Sequence, residues 1–215
     1  MARPERQRLT RDEQRRQTVG RLLDSAEQLF SRDGIAETSI EDIAENAGYS
    51  RGAFYSNFDD KDALVLQLIQ RQQDWAIDET NAIVDTETDP EKLVERLLDW
   101  SRDPQGKRAT LGIEYVLYAS RSEAGRQRMK ELSDRLLAQH THLVASHYDL
   151  LETEMPISPQ EAGKIMHGLD EGFALLRLND PENFPQSLWG DTIAFLNEAV
   201  LALAEKRARD RPQER

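Results

Sequence analysis

Apolar residues recur at intervals of three and four along most of the chain, which is the spacing of amphipathic helices. No segment shows the alternation of apolar and polar residues that a half-buried strand requires. Turns containing glycine or proline separate the helical patterns. The predicted helices span about 11–31, two short segments within 38–60, and then about 61–83, 90–100, 109–120, 125–151, 158–178 and 186–206. We therefore expect an all-α fold of about nine helices.

The two short segments carry the sharpest local signals. Ser39 is a good N-cap, and Asp42 stands three residues later, where its carboxylate can reach back to the helix start. Gly48 suits a left-handed turn after the first short helix. Ser50 is then expected to cap a second helix that begins at Arg51. Two short helices joined by a tight turn form a helix-turn-helix, which lays its second helix in the major groove of DNA.

The run IAENAGYSRGAFYSNFDDKDAL, residues 43–64, resembles the DNA-binding domain of the TetR family of bacterial transcriptional regulators. The preceding run from Leu22 to Ser39 is similar to the first helix and connecting loop of that family. The resemblance covers about the first 65 residues. It implies an N-terminal three-helix DNA-binding domain, here residues 1–60 with a basic arm. The remainder, residues 61–215, is then expected to be a larger helical domain for effector binding and dimerisation.

Arg51 stands at the first turn of the expected recognition helix, where its planar fork could bond O6 and N7 of guanine. Gly52 would let that helix approach the groove closely, and Ala53 could touch a thymine methyl group. The resemblance adds contacts to base or phosphate from other positions. The complete set of expected DNA-binding residues is Thr38, Tyr49, Ser50, Arg51, Gly52, Ala53, Tyr55, Asn57 and Lys61.

Each of these residues has an alternative role that leaves DNA out. Arg51 could be a solvated helix residue, and Tyr55 could pack on Phe58. Lys61 has the carboxylates of Asp59, Asp60 and Asp62 beside it in sequence, so an internal ion pair is an alternative to a phosphate contact. The arginines from Arg6 to Arg16 could reach phosphates or the minor groove as a mobile arm, or could simply be disordered.

The net charge of −12 argues against a protein that coats nucleic acid broadly. Positive charge is nevertheless concentrated locally, with seven arginines between Arg3 and Arg21. Phosphate contacts act within about one Debye length, ~8 Å at physiological salt, so local distribution matters more than the total. The arginine-rich start lacks the apolar segment of a secretory signal, and no apolar run approaches the ~20 residues that span a bilayer. We expect a cytoplasmic protein without membrane contact.

The resemblance implies that two C-terminal helices pair with those of a second subunit as a four-helix bundle. The sequence gives its own indication, since Gly168 and Gly172 lie four residues apart inside a helical pattern and would permit close approach of another helix. The last helix carries an apolar stripe. The alternative is packing within one subunit. The expected dimer interface is Gly168, Gly172, Trp189, Ile193, Leu196 and Val200.

Large side chains spread over the central helices could line an apolar cavity with a few polar groups. They could equally form an ordinary core. The candidates for an effector pocket are Trp75, Trp100, Tyr115, Tyr118, His140 and Phe173, with His147 one further possibility. His140 and His147 lie seven residues apart on one helix face, whereas metal sites usually need closer spacing and a third ligand. We therefore expect surface or pocket-edge histidines and no metal. The effector would be a small organic molecule.

Catalytic signatures are missing from the sequence. Gly106-Lys107 and Gly163-Lys164 lack the earlier glycine and the following Ser or Thr of a phosphate-binding loop, and neither G-x-S-x-G nor H-E-x-x-H occurs. We therefore expect no enzyme, no cofactor, and no disulfide or cysteine ligand, since cysteine is absent. The predicted function is a homodimeric, ligand-responsive repressor bound to a near-palindromic double-stranded operator. The alternative is a helical ligand-binding or adaptor protein without specific DNA binding.

Overall fold

The computed structural model describes residues 10–101, 115–116, 123–151 and 154–210, and within these ranges the fold is all-helical. The eight helices of the described residues are α1 (Arg11–Asp33), α2 (Ile40–Asn46), α3 (Arg51–Tyr55), α4 (Lys61–Thr86), α5 (Pro90–Ser101), α6 (Glu123–Leu150), α7 (Pro159–Asn179) and α8 (Gln186–Asp210). The all-α prediction is confirmed. The helix expected over about 109–120 lies outside the described residues, apart from helical Tyr115 and Val116.

The chain divides into two compact units, residues 1–71 and 72–215, and the division falls within α4. The expected boundary after residue 60 would instead assign all of α4 to the second domain. The boundary after residue 60 stays a prediction. None of the described helices combines the length and apolarity needed to cross a membrane.

Capping side chains fix the helix starts of the first unit. The Ser39 hydroxyl accepts from the Asp42 backbone N–H, and the Asp42 carboxylate accepts from the Ser39 backbone N–H, a complete capping box. Ser50 caps α3 in the same way, by accepting from Ala53 N–H. Gly48 has φ 76° and allows the turn between α2 and α3. These three predictions are confirmed.

The core of the first unit is apolar and closes over α2 and α3. Phe54 of α3 and Ile43 of α2 are fully buried. The Ser25 hydroxyl of α1 donates to the Ile43 carbonyl at 2.8 Å, and Asn46 donates to the Ser25 oxygen at 3.0 Å. The other buried apolar residues of this unit are Leu22, Leu23, Ala26, Leu29, Phe30, Ile35, Ala44, Phe58, Leu64, Val65, Leu68 and Ile69. One side of α3 packs against this core, and its other side is exposed to solvent.

In the second unit α6 packs against α7, and α8 contacts both α5 and α7. Gly163 of α7 lies at a close approach to α6, because a Cβ there would lie only 2.5–2.9 Å from atoms of Thr141. Polar groups also join the helices. Gln139 of α6 donates to Thr80 and Asn81 of α4 at 2.8 and 3.0 Å, and Gln73 donates to the Leu132 carbonyl at 3.3 Å.

Candidate nucleic-acid interface

The exposed side of α3 presents two long side chains next to each other. Arg51 and Tyr55 are one turn apart, and Tyr55 is 46% exposed although it follows the fully buried Phe54. Helical geometry explains the contrast, since Phe54 points into the core and its neighbour points away from it. Phe54 also makes ring contacts with Tyr55 and Phe58, at 5.5 and 5.4 Å between centroids. A rigid helix therefore displays Arg51 and Tyr55 to solvent.

Arg51 is held between two partners. Its Nη1 lies 2.5 Å from a carboxylate oxygen of Glu41 in α2, and its Nη2 donates weakly to the Tyr55 hydroxyl at 3.4 Å. The guanidinium also lies 5.4 Å from the centroid of the Tyr55 ring, within cation–π range. The hydroxyl of Tyr55, followed by the charge of Glu41, raises the pKa of Arg51. Arg51 is thus a fully cationic group with one preferred orientation.

Small and polar residues surround this pair. Gly52 is exposed, and a Cβ there would meet only the Ser50 hydroxyl oxygen at 3.7 Å, an ordinary contact. The fold of the subunit therefore has room for a side chain at Gly52. Ala53, Tyr49 and Asn57 are half-buried, and Asn57 donates to the Ala53 carbonyl at 2.8 Å. Their contacts with DNA stay predictions.

Thr38 and Lys61 are engaged inside the subunit. Thr38 is only 3% exposed, and its hydroxyl donates to the Gly34 carbonyl at 2.8 Å. The Lys61 ammonium donates to the carbonyls of Ile35 and Thr38 at 2.8 and 3.1 Å. Both residues therefore secure the loop between α1 and α2. Their contacts with phosphate stay predictions.

Of the arginines expected to form a mobile arm, Arg6 and Arg8 lie outside the described residues. Arg11, Arg15 and Arg16 are exposed in the first turns of α1. Thr10 caps this helix with a complete capping box to Glu13. These three arginines consequently belong to an ordered helix, and a contact with DNA would have to be made from there.

The aromatic residues expected at an effector pocket include two sets of packed rings in the second unit. Trp75 and Trp100 stack with centroids 6.0 Å apart, and the buried Trp100 Nε1 has no hydrogen-bond partner among the described residues. Phe173 contacts the rings of Phe184 and Trp189 at 6.4 and 6.0 Å. Tyr115 is fully buried, and Tyr118 lies outside the described residues. Their contact with an effector stays a prediction.

His140 belongs to a half-buried polar cluster that the sequence did not reveal. Its ring lies 5.5 Å from that of His167 in α7, and His167 Nε2 lies 2.8 Å from the Ser133 hydroxyl of α6. Burial, together with the neighbouring His167, lowers the pKa of His140 to about 4. His147 is only 7% exposed and bonds Asn197 at 3.0 Å, so its expected place at the surface is wrong, while a place at a pocket edge stays a prediction. No group of three His, Cys, Asp or Glu residues in the described ranges could hold a metal ion.

The residues expected at a dimer interface divide into an open and a packed set. A Cβ at Gly168 or Gly172 would meet nothing within 4 Å. The exposed large apolar side chains of α7 and α8 are Ile165, Leu175, Leu176, Phe195 and Leu203. Trp189 is buried against Phe173 within the subunit, and Ile193, Leu196 and Val200 are half-buried. Their contact with a second subunit stays a prediction.

Residues 22–68 match the family of bacterial regulatory proteins described as the tetR family. The HTH-type transcriptional regulator SrpR of Pseudomonas putida is 32% identical over 145 residues. That match covers 66% of this chain and 65% of SrpR, which is under two thirds of the relative's length. The uncharacterized HTH-type transcriptional regulator TtgW, also of Pseudomonas putida, is 32% identical over 125 residues, covering 57% of this chain and 90% of TtgW.

The solved structures agree in fold. The crystal structure of a transcriptional regulator from Saccharomonospora viridis in complex with choline superimposes with a TM-score of 0.71 at 18% identity. The superposition covers 87% of this chain and 97% of that one. At this level of identity the likeness concerns the fold.

Proposed function

This chain belongs to the TetR family of bacterial transcriptional regulators, and we propose that it is a homodimeric repressor, released from a near-palindromic operator by a small organic effector. The observation that carries the proposal is the display of Arg51 and Tyr55 on the solvent side of α3, whose other side is fixed by the buried Phe54. Arg51 reads guanine through two hydrogen bonds, and the small Gly52 allows the close approach that this requires.

Two copies of α3 are needed for adequate specificity, because five helical residues reach few base pairs. A two-fold dimer places two recognition helices about one turn of DNA, ~34 Å, apart, and it therefore demands a near-palindromic site. The open faces of Gly168 and Gly172 and the exposed apolar residues of α7 and α8 support this dimer. A dimer bound across an operator blocks access by other proteins, so repression requires no further surface.

The effector acts by a population shift. It binds among the aromatic and polar side chains of the second unit and favours dimers whose recognition helices do not fit successive major grooves together. Removing a tenfold to thousandfold affinity advantage takes only ~1.4–4 kcal/mol of coupling between the sites. The choline bound by the Saccharomonospora viridis regulator supports a small organic effector as a general class. Since its partner is double-stranded DNA, the protein works in the cytoplasm.

Selection from fragmented genomic DNA tests this function. The purified protein is mixed with the fragments at moderate salt, and the retained DNA is sequenced. We expect one or a few near-palindromic sequences to be enriched. A folded, dimeric sample that retains all fragments equally poorly, with and without a panel of small organic molecules, would contradict operator binding. That result would favour the adaptor alternative.

The variant Arg51→Ala is expected to weaken operator binding by about 5- to 150-fold and to relax one base position in each half-site. The reason is the loss of two hydrogen bonds to guanine, worth ~1–3 kcal/mol of discrimination. Titration of the operator and of fragments changed at single positions measures both effects. Arg32→Ala is the matched control, because it removes an exposed arginine of the first unit that pairs with Asp33. Unchanged base preference in Arg51→Ala would exclude Arg51 from the readout.

A further inference from the structure

The first turn of α3 carries a charge of the wrong sign for helix stability. Negative side chains are favourable near a helix N-terminus, where the macrodipole is positive. The first turns of α1, α2, α4, α5, α6 and α7 each hold an acidic residue, whereas those of α3 and α8 hold none. Arg51 stands in the first turn of α3 instead. Its positive charge therefore opposes the macrodipole of α3, and a negative charge from outside α3 would offset this unfavourable contribution.

Glu41 of α2 supplies that compensation. Its carboxylate lies 2.5 Å from Arg51 Nη1. The other nearby acid of α2, Asp42, is occupied by the N–H and hydroxyl of Ser39 at 3.1 and 2.5 Å. Glu41 thus favours the stability of two helices. Its negative charge is favourable in the first turn of α2, and it offsets the positive charge of Arg51 in the first turn of α3.

Glu41 and Tyr55 together restrict the orientation of Arg51. One Nη atom faces the carboxylate and the other faces the Tyr55 hydroxyl, while the Tyr55 ring lies beside the guanidinium. A free arginine side chain carries ~2 kcal/mol of rotamer entropy, part of which is lost when it binds a base. An arginine already held in one orientation loses less on binding. The side chains of Arg51 and Glu41 are 62% and 53% exposed, so both remain accessible to DNA.

We propose that Glu41 is a specificity-determining residue that positions Arg51 for base readout and withholds its charge from phosphate, an inference that rests on the proposed operator binding. Random DNA offers Arg51 mainly phosphate, which has to compete with a carboxylate already in place. The operator offers two hydrogen-bond acceptors on one guanine edge, matching the fork of a pre-oriented guanidinium. Glu41 also adds a negative charge beside the DNA, and this repulsion weakens any complex that lacks base contacts.

The test compares Glu41→Gln with the unchanged protein on two probes, the genomic fragment enriched by selection and a random-sequence duplex of equal length. Exposed ion pairs alter binding modestly, so we expect affinity for the random duplex to rise about three- to fivefold. Affinity for the enriched fragment should stay equal or fall, because Arg51 loses its orientation. The ratio of the two affinities therefore falls. On random DNA, the plot of log affinity against log salt should become steeper by about one, which is the signature of one additional phosphate contact.

Two controls separate positioning from a general effect of charge. Glu45→Gln removes the same charge from the exposed surface of α2, one turn further along the helix. It is expected to change the affinity ratio much less than Glu41→Gln does. In an Arg51→Ala background, Glu41→Gln should have no further effect on the ratio or on the salt slope, as a double-mutant cycle requires of a coupled pair. Equal effects of Glu41→Gln and Glu45→Gln would overturn the proposal.

The outcomes also distinguish this inference from the function on which it rests. If the unchanged protein binds no genomic fragment better than the random duplex, both the operator and the role of Glu41 are overturned. If the unchanged protein discriminates and Glu41→Gln discriminates equally well with the same salt slope, only the role of Glu41 is overturned. Folding is not a complication, because Glu41 is exposed and an unchanged melting temperature verifies each variant.

Discussion

Replacing both Gly168 and Gly172 by leucine is expected to produce a folded monomer that no longer retains the operator. Both positions face open space within the subunit, since a Cβ at either meets nothing within 4 Å. Leucine is also a better helix former than glycine by up to ~1 kcal/mol, so α7 itself is not weakened. In a close helix pair, however, two leucine side chains would occupy the space that the partner helix needs. Each subunit would then bind one half-site alone.

The expected loss of operator affinity is about 10²- to 10⁴-fold, which is what linking two binding sites usually contributes. Light scattering at fixed protein concentration measures the oligomeric state, and operator titration measures the affinity. A dimer that persists unchanged in the double variant would remove Gly168 and Gly172 from the interface. A dimer that dissociates while operator affinity is retained would contradict the need for two recognition helices.

Gly163→Ala is the matched control, because it changes a glycine of the same helix on another face. Gly163 is about 140° from Gly168 and about 180° from Gly172 around α7, given 3.6 residues per turn. A Cβ at Gly163 would lie 2.8–2.9 Å from backbone atoms of Thr141. We expect this variant to lose ~1–3 kcal/mol of folding stability through overpacking. The loss arises inside one subunit and does not depend on dimerisation. Chemical unfolding followed by helical circular dichroism distinguishes it from the double leucine variant.

The parts of the fold that the sequence predicted well depend on contacts between residues close in the chain. Ser39 with Asp42, Ser50 and Gly48 act over one helical turn, and they define where α2 and α3 begin and end. The exposure of Arg51 beside the buried Phe54 follows from helical periodicity in the same way. A single sequence therefore sufficed for the helix-turn-helix.

The partners of individual polar side chains were not predictable, because they are set by tertiary packing. The sequence offered adjacent aspartates as partners for Lys61 and gave no indication that its ammonium bonds carbonyls about 25 residues earlier in the chain. His140 meets His167 from another helix, and Glu41 meets Arg51 across the turn. Only Glu41 left a signal in the sequence, namely an acid and a base in the first turns of adjacent helices.

Substitution of Asp170 in α7 is expected to have a large effect on the stability of the fold rather than on DNA binding. Burial, with a contribution from the nearby Glu171, raises the pKa of this carboxyl to about 6, against the opposing effect of Arg177. A folded-state pKa above the ordinary value of 3.8 means that the folded protein holds a proton which the unfolded chain releases between pH 3.8 and 6. Stability is therefore lost as pH rises through this window. At pH 7 the ionised Asp170 destabilises the fold by up to ~3 kcal/mol, since each pKa unit corresponds to ~1.4 kcal/mol.

Asp170→Asn is accordingly expected to stabilise the protein at pH 7, because an amide resembles the protonated carboxyl. For a chain of this size, ~3 kcal/mol corresponds to a rise in melting temperature of about 6–12 °C. Thermal unfolding at fixed protein concentration measures it. Asp134→Asn serves as control, since it removes the same charge from an exposed side chain that pairs with Lys130. A similar rise in both variants would trace the effect to the net charge of −12 rather than to burial.

The same substitution should expose a pH dependence that the unchanged protein conceals. His140 has a folded-state pKa of about 4, below its ordinary 6.5, so the unfolded chain binds a proton between these values and the folded protein does not. Stability is then lost as pH falls from 6.5 to 4, and burial of His147 acts in the same direction. Between pH 4 and 6 the titration of Asp170 changes the free energy of unfolding with pH in the opposite direction and by a similar amount. Without Asp170, stability should fall by ~3 kcal/mol on acidification from pH 6.5 to 4, and the two proteins should become equally stable near pH 4. Parallel curves displaced by a constant amount would mean that Asp170 does not titrate in this window.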